Sequence, residues 1–544
     1  MSEGVVLVQP AQQSRLLVRG AFVLAIAALL TKILSAVYRV PFQNIVGDTG
    51  FYIYQQVYPI YGVALVLATT GFPVILSKLY TEQKSQLEKQ RLMVVSTIFF
   101  FVIGAAMFLF LYYGAETIAR FMDDPQLALL IRVISVVFLI MPIAAMLRGY
   151  YQGEGNMVPT AYSQVGEQFV RVATILITAV MFMRAGSSLY EVGAGAVFGS
   201  VTGGIVGVVI LLAFIWIKKD FDVFRLKESG RLFKYKEVLA LLKVLVIQGF
   251  AICISSMLLL LMQLADSLNL YSLLISTGIN GEDAKGIKGI YDRGQPLIQL
   301  GTVVATSMSL SLVPLIASER MRNSVETLKQ HIQLAIRVSF VVGLGATVGL
   351  MAIMEPTNTM LFENSEGSGV LSIITITILL SSIIMTLIAI FQGLGETVFP
   401  AIAVLVGFVC KYSFNLMLIP TYGTTGAAWA SNLSLAAVLL ILFFRMRRKR
   451  KGRMNFLPLT ARALTAAAVM YIVLHGFLSI TDFMYAFGHP RLIATMQSLA
   501  AVVLGAFTYL LVIIRTKVFS IEELVLLPFG SKIMHLFPPK RNRR

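Results

Sequence analysis

Apolar stretches of spanning length follow one another along almost the whole chain. They lie at roughly 19–41, 51–77, 92–113, 126–149, 159–184, 190–217, 244–276, 290–317, 332–354, 370–393, 400–420, 425–445, 458–479 and 490–515. A helix needs about 20 apolar residues to cross a bilayer's hydrocarbon core. The pattern therefore predicts an all-α polytopic membrane protein of about 14 transmembrane helices. Apolar residues make up 57% of the chain and charged residues 13%, against about 45–50% and 25% in soluble domains. A water-soluble fold would have nowhere to bury that excess. The spans flanking Gly47-Asp48-Thr49-Gly50 and Thr421-Tyr422-Gly423 are close enough to blur.

The net charge of +18 does not point to nucleic acid, because the basic residues cluster beside the spans. That placement suits topology signals and anionic lipid headgroups. Lys78, Lys84, Lys89 and Arg91 fill the second loop; Lys218 to Lys243 the sixth; Arg320, Arg322 and Lys329 the eighth; Arg445 to Arg453 the twelfth. Glu116, Asp123 and Asp124, and later Glu355, Glu363 and Glu366, mark intervening loops. The alternation predicts an even number of crossings with both termini cytoplasmic. At the N-terminus, Arg15, Arg19 and the apolar run from Ala21 look like a secretory signal. The run continues past Lys32 to Val40 without a cleavage signal and is read as a retained first span.

An internal repeat organises the chain. Tyr151-Gln152-Gly153-Glu154-Gly155 returns as Phe391-Gln392-Gly393-Leu394-Gly395; Pro73 and Ser77 return as Pro314 and Ser318; Arg171 returns as Lys411. The shared offset of 240 to 241 residues predicts two six-helix lobes in the same orientation. They are an N-terminal lobe (1–217), a basic cytoplasmic linker (218–243) and a C-terminal lobe (244–445). Two further helices (446–515) and an interfacial, basic cytoplasmic tail (516–544) follow.

Charges inside spans are costly, at roughly 2.5–3.5 kcal/mol each near a helix centre, and usually face the bundle interior. Lys32 and Arg39 are seven residues apart and share one face of the first helix, which carries no acid. A path for phosphate or pyrophosphate offers such cations, and a path for cationic drugs or sodium offers acids. Arg39 could instead snorkel to the outer interface, and Lys32 could pair with Asp266. Asp292 and Arg293 open the eighth span, either as a local pair or with Arg293 at the rim of a cavity. Glu167 and Arg171 are spaced for an i, i+4 bridge. Arg171 and Lys411 are candidate structural locks.

Pro73, Pro314, Gly153 and Gly393 are candidate hinges, and Arg148 a candidate cap for the helix before the first Gln-Gly turn. Gly195 and Gly199 have the spacing of a close helix contact. Cys253 and Cys410 lie in apolar spans, and the four histidines are scattered. No metal site, cofactor or covalent chemistry is expected.

Gly71-Phe72-Pro73 to Ser77-Lys78, Arg148 to Gly153, Ser163-Gln164 to Arg171, Arg293-Gly294-Gln295-Pro296 and Lys411 to Pro420 with Gly426-Ala427-Ala428 together resemble the polysaccharide biosynthesis/export family. The likeness is to its stage V sporulation protein B-like branch, within the MOP exporter superfamily, and covers roughly residues 15–515. That superfamily includes lipid II flippases of the MurJ kind, oligosaccharide-lipid flippases and MATE drug exporters. The resemblance implies two lobes around a V-shaped cavity worked by alternating access, with Lys32, Arg39 and Arg293 matching basic residues that bind substrate.

It also implies that the last two helices line a groove for a lipid tail. The expected function is flipping a polyprenyl-pyrophosphate-linked saccharide, such as lipid II or a related cell-wall precursor, across a bacterial plasma membrane. Membrane phospholipids and cell-wall synthesis proteins are the further partners expected of a monomer. The alternative is a MATE-like cation-coupled exporter using Asp266 or Glu167. A membrane glycan polymerase would need acids or histidine on a sizeable outer loop, and a scaffold role leaves no mark in sequence.

Overall fold

The computed structural model describes residues 10–218, 235–310, 325–449, 457–486, 488–519 and 523. Among them no strand occurs, and twelve stretches are long and apolar enough to cross a membrane. Two of these, Ile26–Glu82 and Val398–Arg448, each contain two expected spans. The first breaks at Gly47 (φ 69°, ψ −176°) and the second at Gly423 (φ 55°, ψ −136°). Both have left-handed φ values that suit glycine. The expected seventh span is represented by two stretches, Tyr235–Ser256 and Leu258–Ser276. The expected eighth is helical over Gly294–Leu310, and its remainder, with Pro314, lies outside the described residues.

The chain divides into two compact units, Met1–Leu268 and Asn269–Arg544. The first contains α1 (Pro10–Val37), α2 (Arg39–Val66), α3 (Phe72–Glu82), α4 (Gln86–Phe121), α5 (Ala128–Ser135), α6 (Val137–Gly153), α7 (Val158–Arg184), α8 (Leu189–Lys218), α9 (Tyr235–Val244) and α10 (Phe250–Ser256). The division falls within α11 (Leu258–Ser276). Residues 244–268 therefore group with the N-terminal unit. The ring of Phe250 lies 5.7 Å from that of Phe72, Glu237 pairs with Arg91, and Lys78 donates to Gln248 at 3.4 Å. Most of the basic linker, 219–234, lies outside the described residues.

Glycines set the closest packing in this unit. Gly195, Gly199, Gly203 and Gly207 recur every fourth residue along α8 and present one face to α7. A Cβ on Gly199 would stand 2.9 Å from the Arg171 carbonyl oxygen, and one on Gly203 would stand 2.6 Å from that of Glu167. Nothing larger than hydrogen fits there without separating the helices.

Between α2 and α3, residues Leu67–Gly71 form a π-turn in which the Phe72 amide bonds Leu67 O. In that register the amide of residue 73 would bond Ala68 O, but Pro73 has no N–H. Arg148 supplies the missing donor through Nη1 at 3.2 Å.

The second unit holds α12 (Gly281–Asp292), α13 (Gly294–Leu310), α14 (Val325–Ala352), α15 (Met354–Phe362), α16 (Ser368–Ile374), α17 (Ile376–Gly393), α18 (Val398–Lys449), α19 (Leu457–Thr481) and α20 (Pro490–Arg515). Helices α19 and α20 close a core against α14 through Val341, Leu344, Ala463, Met470, Leu474 and Tyr509. Tyr509 is buried in that core and donates to Val341 O at 2.7 Å, a hydrogen bond that offsets the cost of burying its hydroxyl. Of the expected tail, residues 520–522 and 524–544 lie outside the described set; Glu523 pairs with Arg337 at 2.7 Å.

The repeated segments form the same turn. Gly155 (φ 75°) and Gly395 (φ 79°) bond Gln152 O and Gln392 O, while Asn156 and Glu396 reach back to Tyr151 O and Phe391 O. This is the Schellman arrangement, closed by a left-handed glycine. Gly153 and Gly393, expected as hinges, remain helical, and the backbone turns two residues later. Gly153 lies against Tyr80, where a Cβ would come 2.8 Å from the ring.

Candidate functional site

The charged residues of the first unit form two separate networks. In one, Arg148 of α6 is fully buried and spends its guanidinium on Ser163 Oγ (2.7 and 3.2 Å), Ala68 O (3.2 Å) and Glu167 Oε2 (2.6 Å). The expected bridge between Glu167 and Arg171 is therefore not formed. Arg148 comes from another helix with no other counter-charge among the described residues, and a buried cation holds the nearest carboxylate more strongly than helical spacing does.

In the other network, Arg171 of α7 donates through Nη2 to the hydroxyls of Tyr38 and Tyr54, both at 2.9 Å, and through Nη1 to Gln168 Oε1 at 3.1 Å. Tyr38 and Tyr54 are themselves 2.7 Å apart through their hydroxyls. The Arg171 guanidinium lies 4.3 Å from the Tyr61 ring centroid and 5.6 Å from that of Tyr58.

Arg39 joins this second network from the start of α2. It is 0% exposed, and its guanidinium carbon stands 4.2 Å from the centre of the Tyr58 ring. Its Nε, Nη1 and Nη2 make no hydrogen bond of acceptable geometry among the described residues. Cation–π contact offsets part of the cost of burial. Arg39 and Arg171 thus share one aromatic ring with no carboxylate among their hydrogen-bond or ion-pair partners. Lys32, two turns before Arg39, is exposed on α1. The face they share passes from an open surface into a closed tyrosine cluster.

Sequence reasoning missed the tyrosines. Tyr54, Tyr58 and Tyr61 stand at i, i+4 and i+7, one face of α2, and all are buried. A polar-aromatic stripe in a span that could have been uniformly aliphatic was the available signal. Asp266 is also buried in this unit, on α11.

In the second unit, Asp292 accepts from Lys288, one turn earlier, at 2.9 Å. Arg293 is fully buried, donates to Asn364 Oδ1 at 2.7 Å and lies 5.4 Å from the Phe362 ring. Lys411 is fully buried in α18; Asn415 Oδ1 at 3.0 Å and Ala427 O at 2.8 Å are among its acceptors. Asn415 continues to Asn269 at 2.8 Å. No group of His, Cys, Asp and Glu suited to a metal ion occurs among the described residues.

A family model described as "Polysaccharide biosynthesis protein" matches residues 17–319. An uncharacterized membrane protein of Bacillus subtilis strain 168, YabM, is 44% identical over 518 residues, covering 95% of each chain. The lipid II flippase MurJ of the same organism is 26% identical over 521 residues, covering 91% of this chain and 94% of its own. A solved structure of lipid II flippase MurJ, in an inward closed conformation, superposes with a TM-score of 0.65 at 15% identity. It covers 90% of this chain and 98% of the flippase. The chain is a multi-pass membrane protein belonging to the polysaccharide biosynthesis protein family.

Proposed function

We propose that this protein is an alternating-access flippase. It carries a polyprenyl-pyrophosphate-linked saccharide, a cell-wall precursor of the lipid II class, from the inner to the outer leaflet. The observation that carries the reading is Arg39, a fully buried guanidinium with three unpaired donor nitrogens in an apolar span. Such a group gains most from an oxyanion, which it can grip in bidentate fashion.

In the proposed cycle Lys32 draws the headgroup in by charge and Arg39 binds pyrophosphate oxygens; Arg293 is a further substrate-binding cation. The polyprenyl tail stays in lipid. Bending near Pro73 accompanies the change of access. Likeness to a named lipid II flippase along most of both chains supports the substrate class.

Complementation of a bacterial strain depleted of its lipid II flippase tests the proposal. The wild-type chain is expected to restore growth, and Lys32→Ala, Arg39→Ala and Arg293→Ala each to impair it, Arg39→Ala most. Failure of the wild type would point to a different lipid-linked glycan. Undiminished rescue by all three variants would sink the cationic site.

A further inference from the structure

We infer that Arg171 is a ligand-binding residue, and that with Arg39 it forms a two-guanidinium oxyanion site inside the N-terminal unit. The site is completed by Gln168 and Tyr61. This rests on the flippase reading and assigns the doubly charged part of the headgroup to specific groups on α2 and α7.

Three observations converge. First, donor atoms of four neighbouring buried residues are unpaired among the described residues: Arg39 Nε, Nη1 and Nη2, Arg171 Nε, Gln168 Nε2 and the Tyr61 hydroxyl, which can also accept. Buried polar groups are normally paired, and two buried guanidinium groups with donors to spare suit a ligand rich in acceptors. Second, no carboxylate pairs with either cation among the described residues. Arg171 donates to the neutral Tyr38, Tyr54 and Gln168, Arg39 has only the hydroxyl of Tyr38 close by, with no hydrogen bond of good geometry, and Glu167 is held by Arg148 at 2.6 Å. Third, both guanidinium groups address one ring, that of Tyr58, at 4.2 and 5.6 Å.

A purely structural Arg171 would be better served by a nearby acid than by a second cation. Two uncompensated charges in a span cost several kcal/mol unless a partner arrives. Pyrophosphate, free or lipid-linked, carries the matching charge and oxygens. Pro59, between Tyr58 and Tyr61, removes one backbone bond of α2 where the rings would part to admit it.

The discriminating change is Gln168→Glu, which places a carboxylate beside Arg171 with little change of shape. Full-length protein in nanodiscs would be titrated with inorganic pyrophosphate and, separately, prepared with polyprenyl pyrophosphate in the bilayer. Gln168→Glu is expected to raise the ligand-free thermal midpoint and to weaken pyrophosphate binding by about tenfold or more; Arg171→Gln is expected to weaken it similarly. Tyr61→Phe is expected to weaken it by a smaller factor.

Binding of both ligands by the wild type would mark a general pyrophosphate site, and binding of the lipid-linked form alone a headgroup site; either supports the inference if the variants lose it. Wild-type affinity in Gln168→Glu overturns it, also where Arg171→Gln fails to fold. If Arg39→Ala alone abolishes lipid-linked binding while Arg171→Gln and Gln168→Glu retain it, the two-arginine site falls and the flippase reading stands.

Discussion

Arg148 donates to the backbone oxygen of Ala68 at 3.2 Å, the acceptor that Pro73 leaves without an amide. One side chain thus ties a helix break in α2–α3 to Glu167 of α7, and the break is stabilised from a distance by an ion pair.

Removing that side chain should be costly. Arg148→Leu strands a buried carboxylate and is expected to destabilise the protein by about 3–5 kcal/mol. Arg148→Leu with Glu167→Leu should lose less than the sum of the single changes. Denaturant unfolding in mixed micelles of the two single variants and the double variant checks both statements.

The repeated turns make matched predictions. Gly155→Ala and Gly395→Ala each force a side chain into a left-handed backbone at φ 75° and 79°, at about 1–2 kcal/mol. Asparagine at either position should cost less, since it tolerates that conformation. Unfolding midpoints of the four variants give the comparison, and unequal losses at the two sites would argue against equivalent turns.

Position along a helix decides what a methyl group does. Gly203→Ala puts a Cβ 2.6 Å from the Glu167 carbonyl oxygen and 2.9 Å from Arg171 Cβ, and overpacking of this kind costs about 1–3 kcal/mol. Gly114→Ala meets only Ile118 Cδ1, at 3.7 Å. It should be neutral or stabilising by about 0.5–1 kcal/mol, because alanine restricts the unfolded chain more than glycine does. Thermal unfolding should show a lowered midpoint for Gly203→Ala and an unchanged or raised one for Gly114→Ala.

The loop charges predict cytoplasmic termini. Fluorescent-protein fusions at either end are expected to glow, and alkaline phosphatase fusions there to be inactive. Phosphatase activity at the loop containing Glu363 and Glu366 should be high. Reversing the Lys78–Arg91 loop to acidic residues is expected to disturb insertion of the first spans.

Much of the fold was legible because each signal was local. Span length, the Gly47 and Gly423 breaks and the Gln-Gly turns depend on residues a few positions apart. The site was less legible because it depends on competition across helices. Glu167 stands one turn from Arg171, yet a third residue, Arg148, is buried beside it with no other carboxylate. Nothing in the spacing of α7 encodes that preference. Lys32 and Arg39 share a helical face, but only the packing of α2 and α7 makes one exposed and the other buried.

The break at Gly47 has a mechanical meaning. Helix resumes directly on either side of this one non-helical residue, and Gln43 clasps Asp48 across it at 2.9 Å. The segment bearing Arg39 and the segment bearing Tyr54, Tyr58 and Tyr61 are therefore joined without slack. Displacement of either arm must pass to the other as rotation about one pair of backbone torsions, in a region open essentially to glycine alone. The cation and the ring that covers it are two ends of a single lever.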